Sequence, residues 1–341
     1  MPNRPASHRF SALVPFWHAQ RDACRWVLAT LSARQGPSYR KPGAQVFIND
    51  LGQWFGVISG GCLEADLMRL AQEVLADGIA RTHAFIPDDA EEDGNTLART
   101  GCGGSVWVRL QEICAANHYL DLDAVHAAIM ARQPGVYWQD LHAVRGAGRW
   151  IADQTAPAPD GAQWLGSRLD LPPHLFIFGG GVDARPLAQL ALALGWQVSV
   201  CDARTHAARS SDFGPAVRCW RCAPQALPPA ALAQAQAVLV MHHHVQLDAE
   251  ALQALHHVLR QGAAPHYVGM LGPAARRAKV LARAGLQEQD LHAPGLHFYS
   301  PAGSLRGADL PEDIALSLIC QIQQHLHPAS QAQDVRTRWQ A

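Results

Sequence analysis

Two cysteines in glycine-rich stretches are the residues of this sequence best placed to do chemistry. Cys62 follows Gly60 and Gly61 and directly precedes an apolar helical pattern, while Cys102 lies within Gly101-Cys102-Gly103-Gly104. A thiol at the N-terminus of a helix has its thiolate stabilised by the helix dipole and by free N–H groups, and glycines let a ligand approach the backbone. Two such turns in one small domain favour a functional role over two buried cysteines. Glu64 is a candidate base or helix cap beside Cys62.

A glycine-rich turn followed by an acid indicates a nucleotide-like ligand in the second half of the chain. Gly179-Gly180-Gly181 follows an apolar stretch and opens a helical pattern with Ala184, which is the setting of the dinucleotide-binding fingerprint. Asp202 ends the next predicted strand, where an acid accepts a ribose hydroxyl in such folds. Asp183 lies inside the same turn and would repel a pyrophosphate if it pointed inward.

Two further groups follow predicted strands, on the side where parallel sheets of this class bind ligands. Gly272 precedes a helix that carries Arg276 and Arg277, which either capture an anion such as phosphate or form a solvated basic face. His242 and His243 begin a run of three histidines. Because alternate residues of a strand point in opposite directions, the run is not predicted to hold one metal ion. One imidazole is expected to contact a ligand or carry a proton, the alternative being a loop without a role.

The elements that must position these residues form two folded units. In residues 1–117 we predict strands at 26–31 and 105–111, a hairpin of 45–49 with 53–59, and a helix that ends before Gly78. This pattern indicates an N-terminal mixed α/β domain. Residues 118–173 form a middle segment and linker, with a helix over 118–131 and a hairpin of 135–144 with 148–152.

The second domain is predicted over residues 174–330, followed by a tail at 331–341. Apolar strands at 175–178, 197–201, 237–241 and 266–271 alternate with helical patterns, and a last helix starts at Pro311. Such alternation indicates a Rossmann-like, doubly wound parallel sheet. Cys219-x-x-Cys222 is expected to lie in or beside a strand of this domain rather than to bind zinc or act in redox chemistry.

Composition excludes several classes of protein. Hydrophobic residues make up 48% of the chain and charged residues 17%, which is enough apolar surface to exclude a wholly disordered chain. The formal net charge of −1 gives no indication of nucleic acid or of an anionic membrane as a partner. No apolar run is long enough to span a bilayer, and the N-terminus has no secretory pattern. We therefore expect a soluble, cytoplasmic protein that binds neither nucleic acid nor membranes.

Taken together and in order, these motifs resemble the xanthine dehydrogenase accessory protein (XdhC/CoxI) family. The matching stretches of the first domain are GPSYRKPGAQVFI (36–48), SGGCLEADL (59–67) and GCGGSVWV (101–108). Those of the second domain are LFIFGGG (175–181), VCDAR (200–204), AVLVMHHH (237–244), YVGMLGPAARRAKVL (267–281) and LPEDIALSLI (310–319).

The resemblance implies a cofactor-binding chaperone rather than a turnover enzyme. Its cargo would be the molybdenum cofactor (molybdopterin), a pterin with a dithiolene and a phosphate. The protein would assist sulfuration of this cofactor and its insertion into xanthine dehydrogenase or a related molybdenum hydroxylase. Cys62 and Cys102 match the family's motif cysteines and are the only residues expected to contact molybdenum. A cysteine desulfurase and a second copy of the chain, forming a homodimer, are further expected partners.

Two other classes of function stay open from the sequence. An NAD(P)-dependent oxidoreductase with a catalytic cysteine would turn over nicotinamide, whereas a chaperone would not. A nucleotide-binding scaffold would bind NAD(P) or another nucleotide whether or not the two cysteines are present.

Overall fold

The computed structural model describes residues 4–5, 7–86, 103–159, 163–169, 171–304, 307 and 309–326. The chain divides into two compact units between Leu171 and Pro172. Gly101 and Cys102, which the sequence singles out, lie outside the described residues.

The first unit is built on an antiparallel sheet with the strand order β3-β2-β1-β5-β4. These strands are β1 (Trp26–Gln35), β2 (Gln45–Asn49), β3 (Trp54–Gly56), β4 (Arg81–Phe85) and β5 (Ser105–Ile113). Among the described residues, the sheet is accompanied by the α-helices α1 (Phe10–His18), α2 (Glu64–Asp77) and α3 (Leu122–Met130). One core lies between the sheet and α2, and a second core joins the opposite face to α1 and α3. The predicted strands, the hairpin and the mixed α/β class are confirmed.

Helix α2 positions Cys62, and its sequence explains which face is buried and where the helix ends. Five of its apolar residues recur at helical spacing and are buried against the sheet: Leu67, Leu70, Ala71, Val74 and Leu75. Gly78 adopts a left-handed conformation (φ 67°), and its N–H donates to the Val74 carbonyl at 2.8 Å, as the predicted glycine cap requires.

A small sheet from the middle segment belongs to the same unit. It has the strand order β7-β6-β8 and consists of β6 (Val136–Asp140), β7 (Gly148–Ile151) and β8 (Trp164–Arg168). The Gln111 side chain of β5 donates to the Asp140 carbonyl at 2.9 Å, and Arg109 donates to the Ala143 carbonyl at 2.6 Å. These bonds tie the small sheet to the large one, and the predicted hairpin of β6 and β7 is confirmed.

The helix predicted over 118–131 begins later than expected. Residues 118–121 have positive φ angles and precede α3 as a left-handed turn. Tertiary contacts favour this turn, because the Tyr137 hydroxyl donates to the Leu120 carbonyl at 2.9 Å and the Asp121 carboxylate accepts the Trp150 N–H at 2.6 Å. Local helical propensity is overridden by these partners.

The second unit is a parallel sheet with the strand order β11-β10-β9-β12-β13-β14. Its strands are β9 (His174–Phe178), β10 (Gln197–Cys201), β11 (Val217–Trp220), β12 (Ala237–Val240), β13 (Tyr267–Met270) and β14 (His297–Tyr299). Its helices are α4 (Ala184–Ala193), α5 (Ser210–Phe213), α6 (Pro229–Ala233), α7 (Val245–Arg260), α8 (Ala274–Ala284) and α9 (Pro311–Leu326).

Helices cover both faces of this sheet, as the predicted doubly wound class requires. Helices α4 and α9 share one core with the sheet, and α6, α7 and α8 share the other. The strand order reverses between β9 and β12, so the predicted ligand residues lie at the carboxyl ends on either side of the switch point. Among the described residues, no helix is long and apolar enough to cross a membrane.

Backbone contact at Gly104 generates a test of how the first unit is assembled. A Cβ at this position would lie 2.0 Å from the Pro37 carbonyl oxygen and 2.9 Å from that of Gln35. We expect Gly104→Ala to lower the free energy of unfolding by roughly 2 kcal/mol, because backbone cannot yield to the added methyl as a side chain would. Urea unfolding measures this loss. Gly60→Ala is the matched control, since its Cβ would meet no atom nearer than 4.0 Å. Equal stability of the two variants would contradict the packing argument.

Candidate functional site

The turn before α2 exposes Cys62 and is held together by Ser59. The Ser59 hydroxyl oxygen accepts the N–H groups of Gly61 and Leu63, each at 3.3 Å, and Ser59 itself is buried. Leu63 is buried beneath the turn, whereas Cys62 is exposed. The turn therefore has a fixed base and presents its thiol to solvent.

Glu64 acts as a cap for this turn. One oxygen of its carboxylate accepts the Ser59 hydroxyl at 2.9 Å, and the other accepts the Leu63 N–H at 3.1 Å. Of the two roles that the sequence left open, the geometry supports the cap. Glu64 also accepts the Leu63 N–H at the start of the helix. This N–H is therefore not free to stabilise a Cys62 thiolate in the way that the sequence predicts.

The loop of residues 36–43 contacts both glycine-rich turns. A Cβ at Gly60 would lie 4.0 Å from Cδ2 of Tyr39, and one at Gly36 would lie 3.4 Å from Cα of Gly104. The Gly104 backbone packs in turn on the Pro37 carbonyl. The loop thus brings the Cys62 turn and the Gly103-Gly104 turn to one corner of the first unit.

Open space adjoins this corner at two glycines. Gly61 has φ +114° and Gly103 has φ +70°, and a Cβ at either would meet no atom of the described residues within 4 Å. Glycine is required here by backbone conformation, not by crowding. Within the described part of the chain, the space beside Gly61, next to Cys62, is therefore open to a ligand.

In the second unit, two of the three predicted glycines allow close packing against the backbone of neighbouring segments. A Cβ at Gly179 would lie 2.6 Å from the Met241 and His242 backbone, and one at Gly180 would lie 2.5 Å from the Ala208 nitrogen. Only Gly181 of the three would meet no atom within 4 Å. The dinucleotide-binding fingerprint predicts that Gly179 makes room for a ligand, but in the structure the absence of a side chain makes room for the backbone just after strand β12. Gly181 is the position where a ligand can approach the backbone.

Asp202 is buried, and the protein itself occupies both of its oxygens. They accept the Gly180 N–H at 2.8 Å, the Arg204 N–H at 3.0 Å, and a bidentate pair from the Arg204 guanidinium. Burial opposes ionisation of this carboxyl, but these hydrogen bonds outweigh it, so the pKa of Asp202 lies below its ordinary value. A ribose hydroxyl would have to displace Arg204 or Gly180 to bind as the sequence predicts.

A buried chain of charged groups joins His242 to Arg276. Asp248 accepts hydrogen bonds from the His242 N–H and from the His242 Nδ1, both at 3.0 Å, and its other oxygen pairs with Arg276. A carboxylate only accepts, so Nδ1 carries a hydrogen, and in the neutral imidazole Nε2 then has a lone pair. This Nε2 is buried and has no hydrogen-bond partner among the described residues. Its lone pair can therefore accept a hydrogen bond from a ligand that reaches it.

His243 and the two arginines are each paired within the second unit. The His243 Nε2 lies 2.8 Å from an Asp183 oxygen, which directs this acid toward the histidine. Gly272 has φ +110°, and Arg276 packs over it. Arg277 pairs with Glu288 at 2.9 Å and donates to the Ser300 carbonyl at 3.1 Å. Both arginines are already paired with an acid. These contacts support a structural role for Arg276 and Arg277 better than they support a solvated basic face or the capture of an anion.

Cys219 and Cys222 do not form a dithiol pair. Cys219 lies in β11, as predicted, and packs with one core of the sheet, whereas Cys222 packs with the opposite core. The Cys222 carbonyl instead accepts the Cys201 thiol at 3.4 Å. Among the described residues, no group of three histidine, cysteine or acidic side chains is arranged to hold a metal ion.

Sequence reasoning missed Asp248 and the structural use of Arg204. Asp248 is an acid among the buried apolar residues of α7, and an acid on the apolar face of a helix is the signal that would have identified it. Arg204 follows Asp202 by two residues, a spacing that gives no sign of a bidentate pair.

Family models match both units. The XdhC and CoxI family matches residues 19–85, which include the loop of residues 36–43 and the Cys62 turn. The XdhC Rossmann domain matches residues 175–322, which include the strand ends described above.

Known proteins are similar over most of the chain. A probable xanthine dehydrogenase subunit from Bacillus subtilis (strain 168) is 31% identical over 319 residues, covering 87% of this chain and 92% of that protein. The molybdenum cofactor insertion chaperone PaoD from Escherichia coli (strain K12) is 24% identical and covers 87% of this chain and 82% of its own. A crystal structure of a xanthine dehydrogenase from Bacillus halodurans has a TM-score of 0.73 at 25% identity, covering 94% of this chain and 98% of that one.

Exposure of the Cys62 thiol predicts selective alkylation. Burial raises the pKa of the Cys24, Cys201 and Cys219 thiols, which lowers their thiolate fraction at neutral pH. With limiting iodoacetamide at pH 7.5, we expect Cys62 to react roughly tenfold or more faster than Cys201, which should react only on unfolding. Peptide mass mapping gives both rates. Comparable rates in the folded protein would contradict the structure of the turn.

The buried carboxylate of Asp248 makes Arg276 and Arg277 distinguishable by stability. We expect Arg276→Gln to cost about 3 kcal/mol, because it leaves Asp248 buried without its cationic partner. Arg277→Gln should cost under about 1 kcal/mol, since Glu288 is half-exposed. Urea unfolding of the two variants measures the difference. Unchanged stability of Arg276→Gln with weakened anion binding would instead restore the anion-capture role predicted from sequence.

Proposed function

Because this chain belongs to the XdhC and CoxI family, as its motifs predicted, we propose that it is a molybdenum cofactor-binding accessory protein. It would assist sulfuration of the cofactor and insertion into a molybdenum hydroxylase. The observation that carries the proposal is the exposed Cys62 thiol on a glycine turn with open space beside it. That turn lies in a chain similar along 87% of its length to a molybdenum cofactor insertion chaperone.

The residues of the first unit fit such a cargo. Molybdenum and the dithiolene of the pterin are soft partners, and a cysteine sulfur is the soft ligand that proteins offer. Cys62 is exposed, and a Cβ at the neighbouring Gly61 would meet no atom of the described residues within 4 Å. Ser59 and Glu64 hold the base of the turn, so the thiol can bind and release cargo without remodelling of α2. The role of Cys62 is to hold the cargo while a sulfur donor acts and until transfer.

The second unit offers a separate set of contacts. Gly181 leaves its backbone open to a ligand, and the buried Nε2 of His242 can accept one hydrogen bond. These groups support pterin or nucleotide binding near the switch point of the sheet. His242 is fixed for that purpose by Asp248, which holds its tautomer.

The comparisons do not favour the alternative, an NAD(P)-dependent oxidoreductase with a catalytic cysteine. The Asp202 carboxylate, which would receive a ribose hydroxyl in that enzyme, is occupied by Gly180 and Arg204. A chaperone without turnover of its own agrees better with this geometry. Its client would be a molybdenum hydroxylase such as xanthine dehydrogenase, in the cytoplasm. A cysteine desulfurase as sulfur donor and a second copy of the chain are the further partners that we propose.

Replacement of Cys62 tests the proposed function directly. Cys62→Ser is nearly isosteric, so we expect unchanged folding but loss of cofactor retention, because a hydroxyl is a poor ligand for molybdenum. Retention is measured by metal and pterin content after purification from a molybdate-fed host. Activation of a client apo-enzyme, measured with the variant in place of the wild type, should fall at least roughly tenfold for a lost metal contact.

The control is Cys24→Ser, a half-buried cysteine of the same unit that packs with the core. It should retain and deliver cofactor like the wild type. Wild-type retention and activation by Cys62→Ser would show that the exposed Cys62 thiol does not hold the cofactor and would contradict the proposal. NAD(P) turnover by the purified wild type would favour the oxidoreductase.

A further inference from the structure

A cavity of about 460 Å³ opens in the first unit between the loop of residues 36–43 and the end of β8. Tyr39, Arg40 and Lys41 line it from the loop, and Ser167 and Arg168 line it from the strand. None of the described residues that line it is acidic. The functions assigned above make no use of this cavity.

Three cations converge on the cavity without compensation. Arg40, Lys41 and Arg168 form no ion pair with any acid in the described parts of the chain, whereas Arg204, Arg276 and Arg277 of the second unit each pair with an acid. All three residues are exposed. Here they surround a concavity, where their potentials add and favour an anion. Arginine in particular binds phosphate through two parallel hydrogen bonds.

A buried hydroxyl adds a neutral donor to the same wall. The Ser167 Oγ is buried without a hydrogen-bond partner among the described residues. It lies 3.0 Å from the position that a Cβ of Gly43 would take, so any side chain at that position would crowd it. Gly43, with φ +92°, therefore lets the loop pack closely against Ser167, whose hydroxyl keeps its hydrogen-bonding capacity unused within the described residues.

The cavity adjoins the Cys62 turn through one side chain. Tyr39 lines the cavity, and its Cδ2 lies 4.0 Å from the Cβ position of Gly60 in that turn. Its side chain is 61% exposed, which leaves a ring face for stacking against a flat heterocycle. A ligand bound through the Cys62 sulfur would therefore have the Tyr39 ring beside it, and the basic cavity lies on the other side of this residue.

From this arrangement we propose that the cavity binds the phosphate of a phosphorylated heterocycle, with Arg40, Lys41 and Arg168 as its cationic ligands and Ser167 as a donor. Identification of the heterocycle as the pterin of the molybdenum cofactor rests on the proposed function. A nucleotide carries the same chemistry, a phosphate attached to a flat ring. The two sources are distinguished by the probes used below.

The test measures binding of paired probes to the full-length protein. The probes are the oxidised, phosphorylated pterin released from the molybdenum cofactor, the same pterin after phosphatase treatment, and ADP. The variant is Arg40→Gln combined with Arg168→Gln. Arg149→Gln is the control, because Arg149 is an exposed arginine on β7, the opposite edge of the same small sheet, and does not line the cavity.

We expect the double variant to bind the phosphorylated pterin roughly tenfold or more weakly than the wild type, since two charged hydrogen-bond donors are lost. The control should bind like the wild type, and the phosphatase-treated pterin should bind wild type and variant equally. Rising salt should weaken the wild type more than the variant.

The outcomes separate this proposal from the proposed function. Equal affinity of wild type and double variant for the phosphorylated pterin overturns the phosphate site and leaves the accessory function standing. Binding of ADP that depends on Arg40 and Arg168, without binding of the pterin, supports the phosphate site and overturns the pterin assignment. Failure of the wild type to bind any phosphorylated probe overturns the site.

Discussion

Backbone-to-backbone contact at glycines determines where the two candidate sites form. In the first unit, Gly104 packs on the Pro37 carbonyl, and this contact holds the loop of residues 36–43 beside the glycine-rich turns. In the second unit, Gly179 packs on the backbone of Met241 and His242, just after strand β12. Each contact brings together two chain segments that carry polar groups, at a distance that no side chain would permit. The positions of the sites therefore follow from close packing of the backbone. Gly104 and Gly179 are needed for this packing whether or not a ligand is bound.

Buried charge then fixes the strand ends of the second unit. Asp202 pairs with Arg204, and Asp248 pairs with Arg276, so two buried carboxylates are balanced by two guanidinium groups. Arg204 also reaches the His242 carbonyl at 3.4 Å, and His242 donates to Asp248, which links the two pairs. Buried ions remain charged only when they are paired and hydrogen-bonded, so loss of one partner disturbs the whole chain of groups. Within this network, the Nε2 atom of His242 has no hydrogen-bond partner among the described residues.

Periodicity and turn residues predicted the fold well because they are local properties. Strands β9, β10, β12 and β13, the hairpin of β6 with β7 and the glycine cap of α2 all occur where the sequence placed them. The left-handed turn at 118–121 was missed because its stabilising partners, Tyr137 and Trp150, are distant in sequence. The site was harder to predict for the same reason. The sequence identified Asp202, Arg276 and Glu64 by type and position. Only the structure shows that the charged group of each already has hydrogen-bond or ion-pair partners within the protein.

The contrast between paired and unpaired cations changes where an anion is expected to bind. Arg276 and Arg277 stand at a helix N-terminus, the position that sequence reasoning favours for phosphate, yet each already holds an acid. Arg40, Lys41 and Arg168 have no described acidic partner and surround a cavity. An arginine engaged with a buried carboxylate must give up that bond to receive a ligand, whereas an unpaired one exchanges only water. Electrostatics therefore favours phosphate capture in the first unit, beside the Cys62 turn, over capture by the arginines of the Rossmann-like unit.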